Sequence, residues 1–397
     1  PHSTIVAHLM SDALLVRSLG DITEIDAQTW DALNAQAGGS MLTSHRFLRA
    51  FEQSQSVCPD TGWQPQHLLI QDEASQTVVA AVPLYIKGHS YGEFVFDWAW
   101  ADAYQRAGLR YYPKWMSGVP FTPVTSARLL CTPEDQTLAA HALVKTVSAT
   151  DLSSLHVLYT TEDEQQRLEG AGCLTRHHTQ FHWHNPGWST FDEFLSQLTQ
   201  PKRKKVRAER RKVEQAGVST VVKTGDEITE ADWDFFYRCY DNTYAERGNP
   251  PYLTREFFRL VDPQHCVMVL AHRDANPIAS SLLWLDVVTD PVSGKQTKKL
   301  YGRYWGGLEH IDCLHFEVAY YTPIQWAIDN QIDIIEGGAQ GEHKMARGFT
   351  PVQTRSAHWL AHAGFTQAVT DYLDREKRGL AAYNEALGSP FKTKPIA

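Results

Sequence analysis

HLLIQDEASQTVVAAVPLYIK at positions 67–87 and CVMVLAHRDANPIASSLLWLDVV at 266–288 share one layout: an apolar run, a polar turn and a second apolar run. Val, Ile, Leu and Tyr crowd both runs and suit a pleated, half-buried surface, so each stretch predicts an antiparallel hairpin. Working outward, the neighbours repeat as well. Before the first hairpin, Ile25, Trp30 and Leu33, then Phe47, Leu48 and Phe51, are spaced for two short amphipathic helices; before the second, residues 230–244 and 254–261 read the same way. After the first come the aromatic stretch 94–100, a helix over 138–149 and strands at 155–159 and 180–185. After the second come an aromatic strand, LYGRYWGG (300–307), a helix over 313–330 and a strand, DIIEGG (333–338). Two helices, a hairpin, a strand, a helix and a strand occur twice. The expectation is two mixed α/β domains in tandem, 1–188 and 189–397.

Bulk composition bounds the rest. At 397 residues the chain exceeds what a single core usually supports, and 43% hydrophobic with 21% charged residues is a globular balance. No run approaches the ~20 apolar residues that cross a bilayer, and residues 1–20 lack the basic-then-apolar order of a secretion signal, so a cytoplasmic protein is expected. The six cysteines stand apart with no CxxC pair, against both a zinc knuckle and a disulfide framework. A net charge of −9 gives no global attraction to nucleic acid or an anionic membrane.

The exception is local. PKRKKVRAERRK (201–212) sets eight basic residues against one acid, Glu209, on a helix expected to run from 190 to 216 and stop at Gly217. Two readings stand: a solvated helix face, or a surface where Lys204, Lys205, Arg207, Arg210 and Arg211 meet a polyanion such as tRNA.

The repeated element order is that of the GNAT acyltransferase fold, and two such units with a basic helical insertion resemble the Fem-type aminoacyltransferases. The blocks GWQPQHLLI, PLYIKGHSYGEFVFDWAWADAY, YYPKW, VPFTPVT, QFHWHN, KRKKVRAERRKV, LYGRYWG, LHFEVAYY and GAQGEHKMARGF, between residues 62 and 349, go further. In that order they are similar to the signatures of a bacterial family of predicted N-acyltransferases tied to peptidoglycan biosynthesis or recognition. The resemblance implies acyl or aminoacyl transfer to a small-molecule or peptide amine, with no tightly bound cofactor and with acyl-CoA or aminoacyl-tRNA as donor. One departure matters. Where CoA-dependent relatives place a glycine-rich pyrophosphate turn, this chain has GGLEHIDCLHFEVAYY, with Glu309 and Asp312 where an anion would sit.

Acyl transfer to an amine needs a free amine, donors aimed at the developing oxyanion and an acid for the leaving group. The resemblance puts these where LYGRYWGG and DIIEGG splay apart. Glu336, beside Gly337 and Gly338, is a candidate base or a structural ion-pair residue. Gln340, Glu342, His343, Lys344 and Arg347 follow it as a solvated loop or a substrate-binding one, with His343 a second candidate base. Tyr301 and Tyr304 are candidate acids or packed aromatics; alternation sends Tyr301 and Arg303 to one face and Tyr304 to the other. His315 and Glu317 open the next helix, as substrate ligands or as a cap.

In the first half, Asp97, Trp98, Trp100, Asp102, Tyr104, Tyr112 and Lys114 form a mixture of rings and charges of the kind that lines pockets. His182 and His184 share a strand face but lack a third ligand at recognisable spacing; no metal is expected, and a substrate-facing role is. No GxSxG, P-loop or HExxH pattern occurs. Against the enzyme stands one alternative, a non-catalytic protein binding a cell-wall precursor or RNA through a degenerate GNAT site.

Overall fold

A computed structural model of the chain describes residues 14–339 and 341–392. They form two compact units, one from the residues up to His178 with Thr289–Lys295 and Gln353–Tyr383, the other from Thr179–Val288, Gln296–Val352 and the residues from Asn384 on.

The first unit opens with β1 (Leu14–Leu19), helices Ala27–Gln36 and His45–Gln53, and β2 (Trp63–Pro65). Both helices start on a side-chain cap: Asp26 accepts from the Thr29 amide and Ser44 from that of Phe47. Next come β3 (His67–Asp72), β4 (Val78–Val82), β5 (Leu84–Lys87), β6 (Lys114–Ser117) and β7 (Ser154–Leu158). The expected hairpin is β3 with β4. Pro83 ends it, because proline offers no amide to the ladder; β5 then joins a different sheet, between β2 and β6. The apolar run 77–87, read as one strand, is therefore two strands in two sheets. Strand β7 lies parallel to β6, from Trp115↔Leu155 to Ser117↔Val157.

Strand β8 (Leu174–His184) carries the chain into the second unit, where β9 (Val218–Thr224), β10 (Cys266–Arg273), β11 (Asn276–Thr289), β12 (Gln296–Gly307) and β13 (Ile334–Glu336) follow in the spatial order β8-β13-β12-β11-β10-β9. Strands β10 and β11 are the second expected hairpin, paired from Cys266↔Trp284 to Arg273↔Asn276. Val267, Val269, Ile278 and Leu283 on this hairpin share a core with Ile324, Ile328 and Ile335. Each such fully buried side chain contributes roughly 1.5–3 kcal/mol.

Two helices differ from expectation. The stretch 190–216 is not one helix but two, Phe191–Gln197 and Gln200–Gln215, because Pro201 suits a first turn, where its missing amide hydrogen has no partner to lose. Gly217 follows at φ +73°, ending the second as expected. The helix over 313–330 is Leu314–Phe316 and Thr322–Asp329, with a π-helical turn, Glu317–Tyr321, between them.

Strand β14 (Thr350–Leu360) comes last, and its pairing with β7 runs from Ser356↔Leu158 to Leu360↔Ser154. Residues 353–383 lie within the stretch expected to form the second domain, and they pack with the first unit. Among the described residues no helix is long and apolar enough to cross a membrane.

Candidate active site

In the second unit β12 and β13 run parallel for three positions, Lys299↔Ile334, Leu300↔Ile335 and Tyr301↔Glu336. Then they part. Strand β12 continues to Gly307, while the Gly337 amide donates to Phe181 O on β8 (3.3 Å) and Gly338 turns away at φ +83°, a conformation glycine adopts at little cost. The parting opens a cleft of about 110 Å³ between Gly302, Arg303, Tyr304 and Trp305 on one side and Gly337, His315 and Tyr320 on the other. Gly306 is also constrained: a Cβ there would stand 1.9 Å from the Cys239 carbonyl oxygen, so glycine lets helix Glu230–Ala245 lie directly on β12.

Lys344 lies beside this cleft on the turn Glu342–Arg347, 3% exposed. Its Nζ donates to Gly338 O (3.3 Å), and its methylenes fill the place of a Gly337 side chain, whose Cβ would meet Lys344 Cδ at 3.0 Å. Burial, with the positive charge of Arg303 adding to it, pushes the ammonium down to about 7. Burial likewise brings His315 down to about 4, with His343, Arg347 and Lys344 each opposing a further positive charge beside them, so its ring is neutral at pH 7. That ring packs on Trp305 at 4.9 Å and on Tyr320 at 5.5 Å. His343 is held below its ordinary range, first by burial, and its Nε2 meets Tyr320 OH at 3.3 Å. Tyr304 is pushed up to about 12 by burial and remains a protonated donor.

Other expected residues face elsewhere. Glu336 stands between Ile335 and Gly337, both of which line the cleft, so alternation turns it to the other face. There Lys299 Nζ is 3.3 Å from its Oε1 and His182 Nε2 is 3.7 Å from its Oε2. Tyr301 is also away from the cleft and donates to Asp286 Oδ2 (3.1 Å), whereas Arg303 and Tyr304, expected on opposite faces, both line it. His182 is brought down to about 4 by burial, against the pull of Glu336, and His184 is exposed. Glu317 takes two hydrogen bonds from Arg210 (3.0 and 3.1 Å), and Arg347 pairs with Glu209. Glu342 is exposed, and Gln340 lies outside the described residues. No group of three or more His, Cys, Asp or Glu among the described residues is arranged to hold a metal.

Along the basic helix, Lys204 and Arg211 are exposed and form no ion pair among the described residues. Lys205 reaches Glu209 at 4.0 Å and Arg207 reaches Asp192 at 3.6 Å.

The aromatic and charged cluster of the first unit is largely interior. Lys114 donates to Ser90 Oγ (2.8 Å), Glu93 Oε2 (2.8 Å) and Asp97 Oδ2 (2.5 Å), and Tyr111 OH donates to the same Asp97 oxygen. Burial raises Glu93 to about 7 against the pull of Lys114; burial also works to raise Asp97, but Lys114 prevails and holds it below the usual carboxylate range. Trp100 and Tyr104 are buried, Tyr112 bonds Ser90 (2.8 Å), and Trp98 and Asp102 are exposed.

Sequence reasoning missed Gly302, Trp305 and Tyr320 in the cleft. The pairing of His315 with Tyr320 is five residues apart, a spacing that shares a face only because a π-turn intervenes. Glu209 was marked by its isolation among basic residues, a signal that gave it no role.

The chain belongs to the FemAB-like family, described as peptidoglycan biosynthesis/recognition, which it matches over residues 21–393. Its fold is mixed α/β. The structure is similar to the C-terminal domain of a protein described as a lysylphosphatidylglycerol synthetase from Agrobacterium fabrum, with a TM-score of 0.52 at 8% identity over 89% of this chain and 97% of that one. It is similar to L-PGS from Bacillus licheniformis, with a TM-score of 0.53 at 8% identity over 92% and 98%. No curated protein matches the sequence.

Proposed function

We propose that the second unit transfers an acyl or aminoacyl group to an amine, by direct attack of the amine on the donor carbonyl where β12 and β13 part. The observation that carries this reading is the parting itself, beside a buried lysine whose ammonium is brought to about 7. Backbone donors near parted strands suit a developing oxyanion, because they are fixed before charge appears and are shielded from water. Near pH 7 a large fraction of Lys344 is neutral and can take the proton that the attacking nitrogen must lose. The new C–N bond forms, the C–O or C–S bond of the donor breaks, and the leaving oxygen or sulfur takes the proton back from Lys344. His343, on Tyr320 OH, is the other proton acceptor within this cluster. Glu336, between Lys299 and His182, supports the strand on this reading.

The exposed Lys204, Lys205, Arg207 and Arg211 favour aminoacyl-tRNA as donor, and the family description favours an amine of peptidoglycan metabolism as acceptor. The test offers charged tRNA or acyl-CoA with amine acceptors and follows products by mass spectrometry. Wild type should transfer, and Lys344→Met should lose on the order of a hundredfold or more in kcat. A tRNA donor should bind with affinity falling by roughly 0.7–0.9 log units per phosphate contact per decade of salt. Full kcat in Lys344→Met would sink the role given to the lysine, and a flat salt response would sink the tRNA.

A further inference from the structure

Glu209 is the single acid of the basic run, and the transfer step leaves it unused. It lies on the buried side of helix Gln200–Gln215 with Val206 and Val213. Both its carboxylate oxygens accept from Arg347 Nη2, at 3.0 and 2.8 Å, and Tyr321 OH donates to Oε2. Arg347, 1% exposed, also donates through Nη1 to the carbonyl of His343 (2.6 Å), while its guanidinium lies 3.4 Å from the Phe316 ring centre. The carboxylate thus holds a cation that holds the carbonyl immediately before Lys344. One residue along the same helix, Arg210 pairs with Glu317 at the start of the π-turn that carries Tyr320. Two adjacent residues of one helix therefore fix both segments that flank the cleft.

We propose that Glu209 is a positioning residue for the transfer site: acting through Arg347, it fixes the turn Glu342–Arg347 so that Lys344 is held beside the cleft. The inference rests on the reading of that cleft as the reaction site. A lone carboxylate in a basic helix is costly to bury, and its pairing through both oxygens with Nη2 of a buried guanidinium offsets that cost only in one geometry. Freeing the turn would let water reach Lys344, whose charged neighbour on β12 is Arg303, and would return its ammonium toward 10.5. The consequence is a site that loses its proton acceptor at neutral pH while retaining its substrate contacts.

The experiment compares wild type, Glu209→Gln and the double variant Glu209→Leu/Arg347→Met, in which apolar groups replace both buried charges and the core is expected to stay folded. Hydrogen exchange reads the turn, NMR of lysine Cε across pH reads Lys344, and kinetics read the step. In Glu209→Gln, amides of 341–349 should exchange at least about tenfold faster while 266–288 keep their protection. The Lys344 titration and the rising limb of the pH–rate profile should both move upward from about 7, and kcat should fall more than KM changes. The double variant should show the same displaced titration. Wild-type exchange and titration in either variant would overturn the proposal, as would displaced titration with full kcat. Absence of transfer by wild type with every donor would sink the reading of the cleft, whereas exchange at 341–349 and the Lys344 titration would still decide whether Glu209 positions the turn.

Discussion

The parallel pairs β6–β7 and β12–β13 are both three residues long, one in each unit, and they end in opposite ways. Beyond β12–β13 the strands part around a cleft. Beyond β6–β7 the strand ends are held by buried side chains. A Cβ on Gly118 would come within 3.0 Å of Met116 Sδ, and Leu158 O, at the end of β7, accepts from Arg128 Nε at 2.8 Å. Arg128 is fully buried and donates as well to Ser126 and to Val124 O, while Glu164 receives the amides of Arg128 and Leu129. The same frame thus supports a hydrogen-bonded plug in one unit and an accessible strand end in the other. Access to the backbone, more than the strand pair, separates a candidate site from a structural joint.

The sharpest test of this contrast exchanges a buried lysine in each unit for methionine. Lys114→Met leaves Glu93 and Asp97 buried without their cation and should cost about 3–5 kcal/mol in denaturant unfolding. Lys344→Met, removing an ammonium that burial already disfavours, should cost less than about 1 kcal/mol. Equal losses would erase the distinction between joint and site.

Acidity should divide the units next. In the first, His156 Nδ1 and His358 Nδ1 meet at 2.7 Å, an arrangement that needs one donor and one acceptor and hence at least one neutral ring. Burial, then Lys114, brings His156 down to about 3, and burial with His156 holds His358 well below 6.5. Because both folded values are depressed, the unfolded chain binds protons first. Stability should fall as pH drops below about 6.5, by up to about 1.4 kcal/mol per pH unit for each histidine, and His358→Gln should remove one share of that slope. In the second unit the measurable is activity, which should rise with pH through about 7 as Lys344 loses its proton. Acid-stable unfolding midpoints would contradict the neutral pair.

The smallest effect is a single methyl. A Cβ on Gly302 meets only ordinary contacts, Glu336 O at 3.5 Å and Leu283 Cδ2 at 3.8 Å, so Gly302→Ala should change stability by less than about 0.5 kcal/mol. Because that methyl enters the cleft, kcat/KM should drop about tenfold, whereas Gly118→Ala should leave kcat/KM unchanged.

The hairpins were legible because alternation and β-branched residues act over a few positions. The break at Pro83 was legible in principle, since proline ends a ladder wherever it stands, but the run 77–87 reads as continuous to hydropathy. The helix break before Pro201 has the same origin. Within the site, strand-end position brought attention to Glu336, yet alternation turned it away, and only the pairing register fixes that. Lys344 was visible as a charged residue in a loop; its burial beneath Gly337 and Gly338 depends on a turn whose conformation short-range patterns do not specify. The ion pairs of Glu209 and Arg210 span more than a hundred residues of sequence, beyond the reach of any periodicity.

The return of β14 to β7 bears on synthesis. Ribosomes release a chain at about 5–20 residues per second, and domains ordinarily close in the order in which they emerge. Here the first unit lacks a strand until residues 353–360 have been made, while β8 to β13 of the second are complete by Glu336. For the interval between, β7 presents an unpaired edge to the cell, and a nascent chain of this kind has reason to be held by a chaperone until its last strand arrives.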